Sequence, residues 1–205
     1  MFSICAWCEE KSCKKENEEY PDFCIIPEKD WFAEIAPKYE EVENNLIFKT
    51  AAHIETTGYR EWPRLKEIAE FAIEAGFETI GIAFCIGLQK EAEIAADYYK
   101  EKGLKVASAV CSCGSFDKRE MGIPAEDRFS DEGFEASCNP IAQAKFLEES
   151  GSEFNIVLGL CVGHDSLFFK YSNVPTTVLA VKDRVLAHNP LGAVYNRESY
   201  YKDLN

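Results

Sequence analysis

Nine cysteines in a chain of 205 residues are the feature that asks for a chemical explanation. Four stand near the start, Cys5, Cys8, Cys13 and Cys24, in the spacing Cys-x2-Cys-x4-Cys-x10-Cys. A Cys-x2-Cys pair sets two sulfurs about one turn apart, facing one centre. Two further thiols close a tetrahedron around zinc or complete the corners of an iron–sulfur cluster. Thiolates are soft donors and select these metals over calcium or magnesium. The residues between the cysteines are mostly polar, so segment 1–30 reads as a metal knuckle that folds when a metal crosslinks it. Spacing alone leaves zinc and iron–sulfur both open, with transiently oxidised thiols as the other use.

The remaining five do not fall at random. Cys85, Cys111 and Cys161 each end a short apolar run, Cys113 follows two residues after Cys111, and Cys138 directly precedes a helical pattern. In an open parallel sheet the carboxyl ends of the strands face one crevice, where ligands bind. Helix N-termini favour a thiolate. The expectation is a second site, holding a metal cluster or reactive thiols, built from Cys85, Cys111, Cys138 and Cys161. Cys113 is the substitute for Cys111, because Cys-Ser-Cys can send one thiol inward and the other away. A lone buried cysteine is merely a small hydrophobe; three at matching strand ends are a pattern. His164 and Asp165 follow Cys161, and an acid–base pair there could move protons. Equally, Asp165 or Ser166 could simply cap a helix, with His164 solvated. His53 reads as a packed helix residue, and Asp117, Lys118 and Arg119 as loop charges that could meet an anion.

The elements that must position these residues alternate along the chain. A short helix over 31–45 is interrupted at Pro37, and helices are expected over 46–59 and 60–76. Then come strand 78–85, helix 88–103, strand 104–111, a long polar stretch 112–137, helix 139–151, strand 154–161, helix 163–173 and strand 175–183. Residues 184–190 read as an edge strand or a turn. Strands alternating with helices imply βαβ units. The expected fold is therefore a three-layer α/β domain over 31–205, mainly parallel, with helices on both faces and the knuckle attached. The stretch 112–137 is long for a compact domain and is a candidate lid.

Composition bounds the rest. Hydrophobic residues make up 46%, ample for a core, and the formal net charge is −14. Such acidity repels phosphate backbones, so nucleic acid is not an expected partner. No apolar run approaches the ~20 residues that span a bilayer, and no signal segment is visible. Together these make a reducing cytoplasm the expected location, where an odd number of cysteines favours metal or thiol chemistry over a disulfide framework. The motifs of P-loop ATPases, classical dinucleotide enzymes, serine hydrolases and zincins are missing.

The blocks "CAWCEEKSC", "CSCGSFDK", "SCNPIAQA", "LGLCVGHDSLFFKYS" and "VKDRVLAHNP" resemble a family of bacterial and archaeal proteins, mostly from anaerobes, grouped as domain-of-unknown-function family 1847. The resemblance covers nearly the whole chain and implies metal binding without a named metal or reaction. An anaerobic lineage implies iron–sulfur at one or both sites, with zinc the alternative at the N-terminal one. Three functional readings follow. The first is an enzyme whose strand-end cluster performs redox or sulfur chemistry on a small molecule or a redox partner. The second is a metal or sulfur carrier or sensor without turnover. The third is a structural zinc protein acting through a partner surface. Oligomeric state is not legible in the sequence.

Overall fold

The computed structural model describes residues 5–16, 19–28, 30–130 and 132–203. Residues 1–4, 17, 18 and 29 of the cysteine-rich segment lie outside them. The chain divides into two compact units, Met1–Lys49 and Thr50–Asn205. The division falls later than the break after residue 30 read from composition.

In the first unit, single turns of 3-10 helix cover Cys5–Trp7, Ser12–Lys14 and Ile26–Glu28. Helix α1 (Phe32–Ile35) passes into a 3-10 segment, Ala36–Glu40. Pro37 there removes a backbone donor and ends the α-helical ladder. Helix α2 (Val42–Gly58) begins in this unit and ends in the next.

The second unit contains α3 (Arg64–Glu74), β1 (Thr79–Phe84), α4 (Gln89–Glu101), β2 (Lys105–Val110), α5 (Pro140–Glu149), β3 (Phe154–Leu158), α6 (His164–Tyr171), β4 (Thr176–Ala180) and α7 (Leu191–Tyr195). The four strands form one parallel sheet in the order β2-β1-β3-β4. Side chains alternate between the faces of a strand, and the core divides accordingly. Ile80, Ile82, Phe154, Ile156 and Leu158 pack with Ile68, Ala69 and Ala72 of α3 and with Ala92, Ala95 and Tyr99 of α4. Ala83, Ala109 and Val157 pack with Ala144 and Leu147 of α5 and Phe168 of α6. Helices therefore cover both faces. Gly76, Gly103 and Gly151 close α3, α4 and α5 with positive φ, the left-handed turn that glycine adopts without strain.

Two stretches differ from their expected form. Residues 184–190 take the turn alternative. Asp183 accepts the backbone N–H groups of Val185 and Leu186, and Ala187 and His188 have positive φ, which no strand tolerates. The long stretch 112–137 is a folded flap. Asp117 and Ala136 form an antiparallel bridge, and Lys118 and Ser137 donate backbone N–H groups to Glu135 and Phe116. A bidentate Arg119–Asp117 pair and a 2.6 Å Lys118–Glu135 pair pin its base. No described helix is long and apolar enough to cross a membrane.

Candidate functional site

The β1-to-β2 crossover runs to one side of β1, and β3 lies on its other side. The carboxyl ends of β1 and β3 thus flank the point where the strand order reverses, which is where open parallel sheets place ligands. The register pairs Phe84 with Val110 on one side and with Leu158 on the other. One step beyond it, Cys85 and Cys111 are neighbours, and the Cys85 N–H still bonds the Leu158 carbonyl. Both thiols are buried, in the cluster that holds Leu160 and Phe168, with Cys138 packed against it. The backbone ties Cys138 in place: the Asn139 N–H donates to the Cys111 carbonyl at 2.6 Å, while the Asn139 side chain caps α5 by accepting from Ala142. Cys161 lies three residues past β3. Gly159, at φ +65°, turns the chain there, and a Cβ on it would run into Leu88.

Cys111 is the electrostatic centre of the group. A hydrogen bond from Cys138 is the largest influence holding its thiol well below the ordinary range. The Ile86 N–H at 3.4 Å, Cys85 and the charge of His164 act the same way, against burial. Cys138 moves oppositely: its bond to Cys111, then burial, then the neighbouring sulfurs push it up. The opposed directions favour the thiolate at Cys111 and the thiol at Cys138. Cys161 accepts a hydrogen bond from Arg184 Nη2 at 3.1 Å and lies near enough to Cys138 to influence its charge. Four of the five expected thiols are thereby brought together. Cys113 stands apart. Its Sγ points to the Asn139 carbonyl at 3.9 Å, and burial followed by the Cys111 charge raises its pKa. Cys111 is thus the inward member of Cys-Ser-Cys.

His164 opens α6 close enough to Cys111 to favour its thiolate. Asp165 is engaged with backbone: its Oδ1 accepts from the N–H groups of Gly163 and Ser166. The N-cap of α6 is Gly163, which offers no side-chain cap, so this carboxylate holds the first turn from within the helix, and His164 and Asp165 both stay candidates for handling protons. Among the described residues no group of three or more His, Cys, Asp or Glu side chains is gathered closely enough to hold a single metal ion. The donor set is nevertheless all sulfur.

Three further residues were not anticipated. Arg184 contacts Cys161 directly. Lys182 Nζ and Cys85 Sγ lie 3.6 and 3.9 Å from the position a Cβ on Gly87 would take, so the ammonium and that thiol flank the same turn. Both cations follow β4 by an even number of residues, a signal visible in the sequence once the strand order is known. Gln143 is fully buried on α5, and its Nε2 donates to the carbonyls of Phe84 and Ala109 at the ends of β1 and β2. Its place on the buried stripe Pro140, Gln143, Ala144, Leu147 was the available clue.

The class so defined is an open, parallel α/β protein with helices on both faces and thiols at the carboxyl ends of its strands. The chain belongs to the family described as "Protein of unknown function (DUF1847)", which matches residues 25–179. It is also 42% identical, over 197 residues, to an uncharacterised protein of Methanocaldococcus jannaschii, across 96% of this chain and 95% of that one. The matched family region contains the five later cysteines and ends before Lys182 and Arg184.

Proposed function

We propose that Cys85, Cys111, Cys138 and Cys161 hold an iron–sulfur cluster at the strand ends, serving redox or sulfur chemistry on a small anionic molecule. The observation that supports this most is that four thiols, from three strand ends and one helix start, neighbour one another at the carboxyl end of the sheet. An all-sulfur donor set suits iron–sulfur or another soft metal. A cluster also spaces its cysteines more widely than a single ion does, so the lack of a single-ion geometry does not count against it. When bound, the cluster supplies one-electron transfer, or a Lewis-acidic iron where a thiol ligand is missing. The chain's own residues do the rest. Arg184 and Lys182 provide positive charge to hold an anion in an otherwise acidic protein. His164 holds or releases a proton beside Cys111. Leu160 and Phe168 keep water from the inner side, and the flap 112–137 borders Cys111 and Cys138 in sequence as a cover. In protein purified without oxygen, Cys161→Ser and Cys85→Ser should each lower iron and acid-labile sulfide together. Unchanged contents in both variants would overturn the assignment.

The packing of Cys138 against the cluster that holds Cys111, with their pKa values moved in opposite directions, favours a second reading, thiol–disulfide exchange. The Cys111 thiolate attacks a substrate disulfide and releases one thiolate. The Cys138 thiol, losing its proton, then attacks the mixed disulfide and releases the second half. The products are a Cys111–Cys138 disulfide, two substrate thiol groups in the reduced state and no net change in electrons. Trapping a mixed disulfide on Cys111 in a Cys138→Ala variant would support it, and a chain inert to substrate disulfides would remove it.

A further inference from the structure

We infer, resting on the reading above only for the chemistry performed, that Arg184 and Lys182 seat the carboxylate of a small molecule beside Cys161, and that His188 positions Arg184 by closing the loop 183–188. One histidine ties both ends of that loop. The His188 N–H donates to the Asp183 carbonyl at 2.8 Å, and the Asp183 N–H donates to His188 Nδ1 at 3.1 Å. Inside the loop Asp183 Oδ1 accepts the N–H groups of Val185 and Leu186 at 3.0 and 2.8 Å. Ala187 and His188 take φ of +50° and +64°. Residues other than glycine adopt this left-handed backbone at a cost, and keep it where surrounding bonds over-determine it. The loop thus needs at position 188 a side-chain acceptor and tolerance of positive φ, two properties that Asn also has.

Arg184 is the side chain this loop presents. Its Nη2 donates to Cys161 Sγ at 3.1 Å, and it lies close enough to Cys85 and Cys138 for their charges to act on it. Lys182 comes to the same thiols from two residues earlier, its Nζ and Cys85 Sγ flanking the turn at Gly87. The chain has 36 acidic residues against 22 basic ones, yet among the described residues neither cation is paired with a carboxylate. Lys118 and Arg119 of the flap show the commoner outcome, each set on an acidic partner. A guanidinium has five N–H donors in a planar fork that matches the two oxygens of a carboxylate, and Cys161 takes only one of them here. Cys85 and Cys111 are buried, whereas Cys161 is half-buried. Of the three strand-end thiols, Cys161 is therefore the one that a molecule held on Arg184 meets.

Two alkylating reagents that differ in the carboxylate, iodoacetate and iodoacetamide, test the site on the full chain stripped of metal without oxygen. With both, the Cys161 thiolate displaces iodide and forms a sulfur–carbon bond, so a change in its thiolate fraction alters both rates alike and leaves their ratio unchanged. The rates are followed by mass spectrometry of the Cys161 peptide. The ratio of the iodoacetate rate to the iodoacetamide rate is expected to fall about fivefold in Arg184→Gln and about twofold in Lys182→Gln, as for the loss of exposed charge contacts. His188→Ala should lower it as Arg184→Gln does, and His188→Asn should recover it. The ratio at Cys113, in the same samples, should stay constant. An unchanged Cys161 ratio in both Arg184→Gln and Lys182→Gln, or an equal fall at Cys113, overturns the anion site, and an unchanged ratio in His188→Ala overturns the role of His188. Iron and sulfide take no part in these rates, so the iron–sulfur assignment can fail while this site stands, and the reverse. If the stripped chain loses its sheet, phenylglyoxal modification of the chain as purified decides. Malonate should then slow the reaction at Arg184 but not at Arg197, an effect lost in Lys182→Gln, and equal Arg184 rates with and without malonate overturn the site.

Discussion

At the scale of single residues, the thiols are unequal because their hydrogen-bond donors are unequal. Cys111 accepts the Ile86 N–H at 3.4 Å, and the influence of Cys138, then of that N–H and of Cys85, favours its thiolate despite burial. Removing the largest donor should undo this. In metal-free protein, Cys138→Ala is expected to move the rise of thiolate ultraviolet absorbance that is missing in Cys111→Ser to higher pH. A rise at unchanged pH would mean that Cys138 does not set the Cys111 charge. The cysteines were legible because each ends an apolar run, a position that a one-dimensional pattern can show. Arg184 was not, since its partnership with Cys161 exists only after β4 is laid beside β3. Asp165 illustrates a residue whose type allows two roles: its Oδ1 accepts the N–H groups of Gly163 and Ser166, and no spacing rule distinguishes such a turn bond from proton transfer.

At the scale of elements, α5 and the flap decide how the site is held. Gln143 reaches from α5 to the carbonyls of Phe84 and Ala109 near the ends of β1 and β2, bridging the two strands that Cys85 and Cys111 follow. Replacing it by Leu keeps the volume but removes both donations inside the core. A loss of ~1–3 kcal/mol is expected, the cost of buried polar groups left without partners, read as a lower urea midpoint with an unchanged slope. The flap depends on carboxylates. Asp117 is held far below the usual carboxylate range by Arg119, and Glu135 is lowered by Lys118. Folded-state pKa values below the unfolded ones mean that their contribution is present above the ordinary carboxylate pKa and is lost as pH falls through the depressed folded values. Amide exchange in 112–137 should therefore accelerate on acidification below about pH 4, and Asp117→Asn should show the loosened flap already at neutral pH. An exchange pattern insensitive to both changes would show that the ion pairs do not order the flap. The sequence marked this stretch only as long and polar, because its pairing is a single bridge with no run of alternating residues to announce it. The sheet elements were the opposite case. Their periodic apolar positions fixed each strand and helix to within a few residues, and the differences lie at ends where terminal residues leave the ladder, as with Leu160 and Cys161 after β3.

At the scale of the whole molecule, the two units differ in what can hold them together. The sheet unit buries Ile80, Ile82, Tyr99, Leu147, Ile156 and Phe168 almost completely, an apolar core of its own. The described part of the N-terminal unit has no buried hydrophobic side chain, and its cysteine-bearing turns are closed by one or two backbone bonds each, with one side-chain bond from Ser12 to the Glu19 carbonyl. Each such bond contributes about 1 kcal/mol net, less than the backbone entropy of ordering the residues it joins. Metal removal should therefore divide the molecule. On stripping iron from protein prepared without oxygen, amide protection in β1 and β3 is expected to persist, while residues 5–28 should exchange at rates near those of an unfolded chain. Restoring iron with sulfide should recover protection in that segment. If residues 5–28 stay protected after stripping, the turns hold without a crosslink, and the physical reason for placing four thiols there would have to be chemistry alone. If instead β1 and β3 lose protection too, the strand-end thiols carry a centre on which the sheet itself depends, despite the apolar core beneath it.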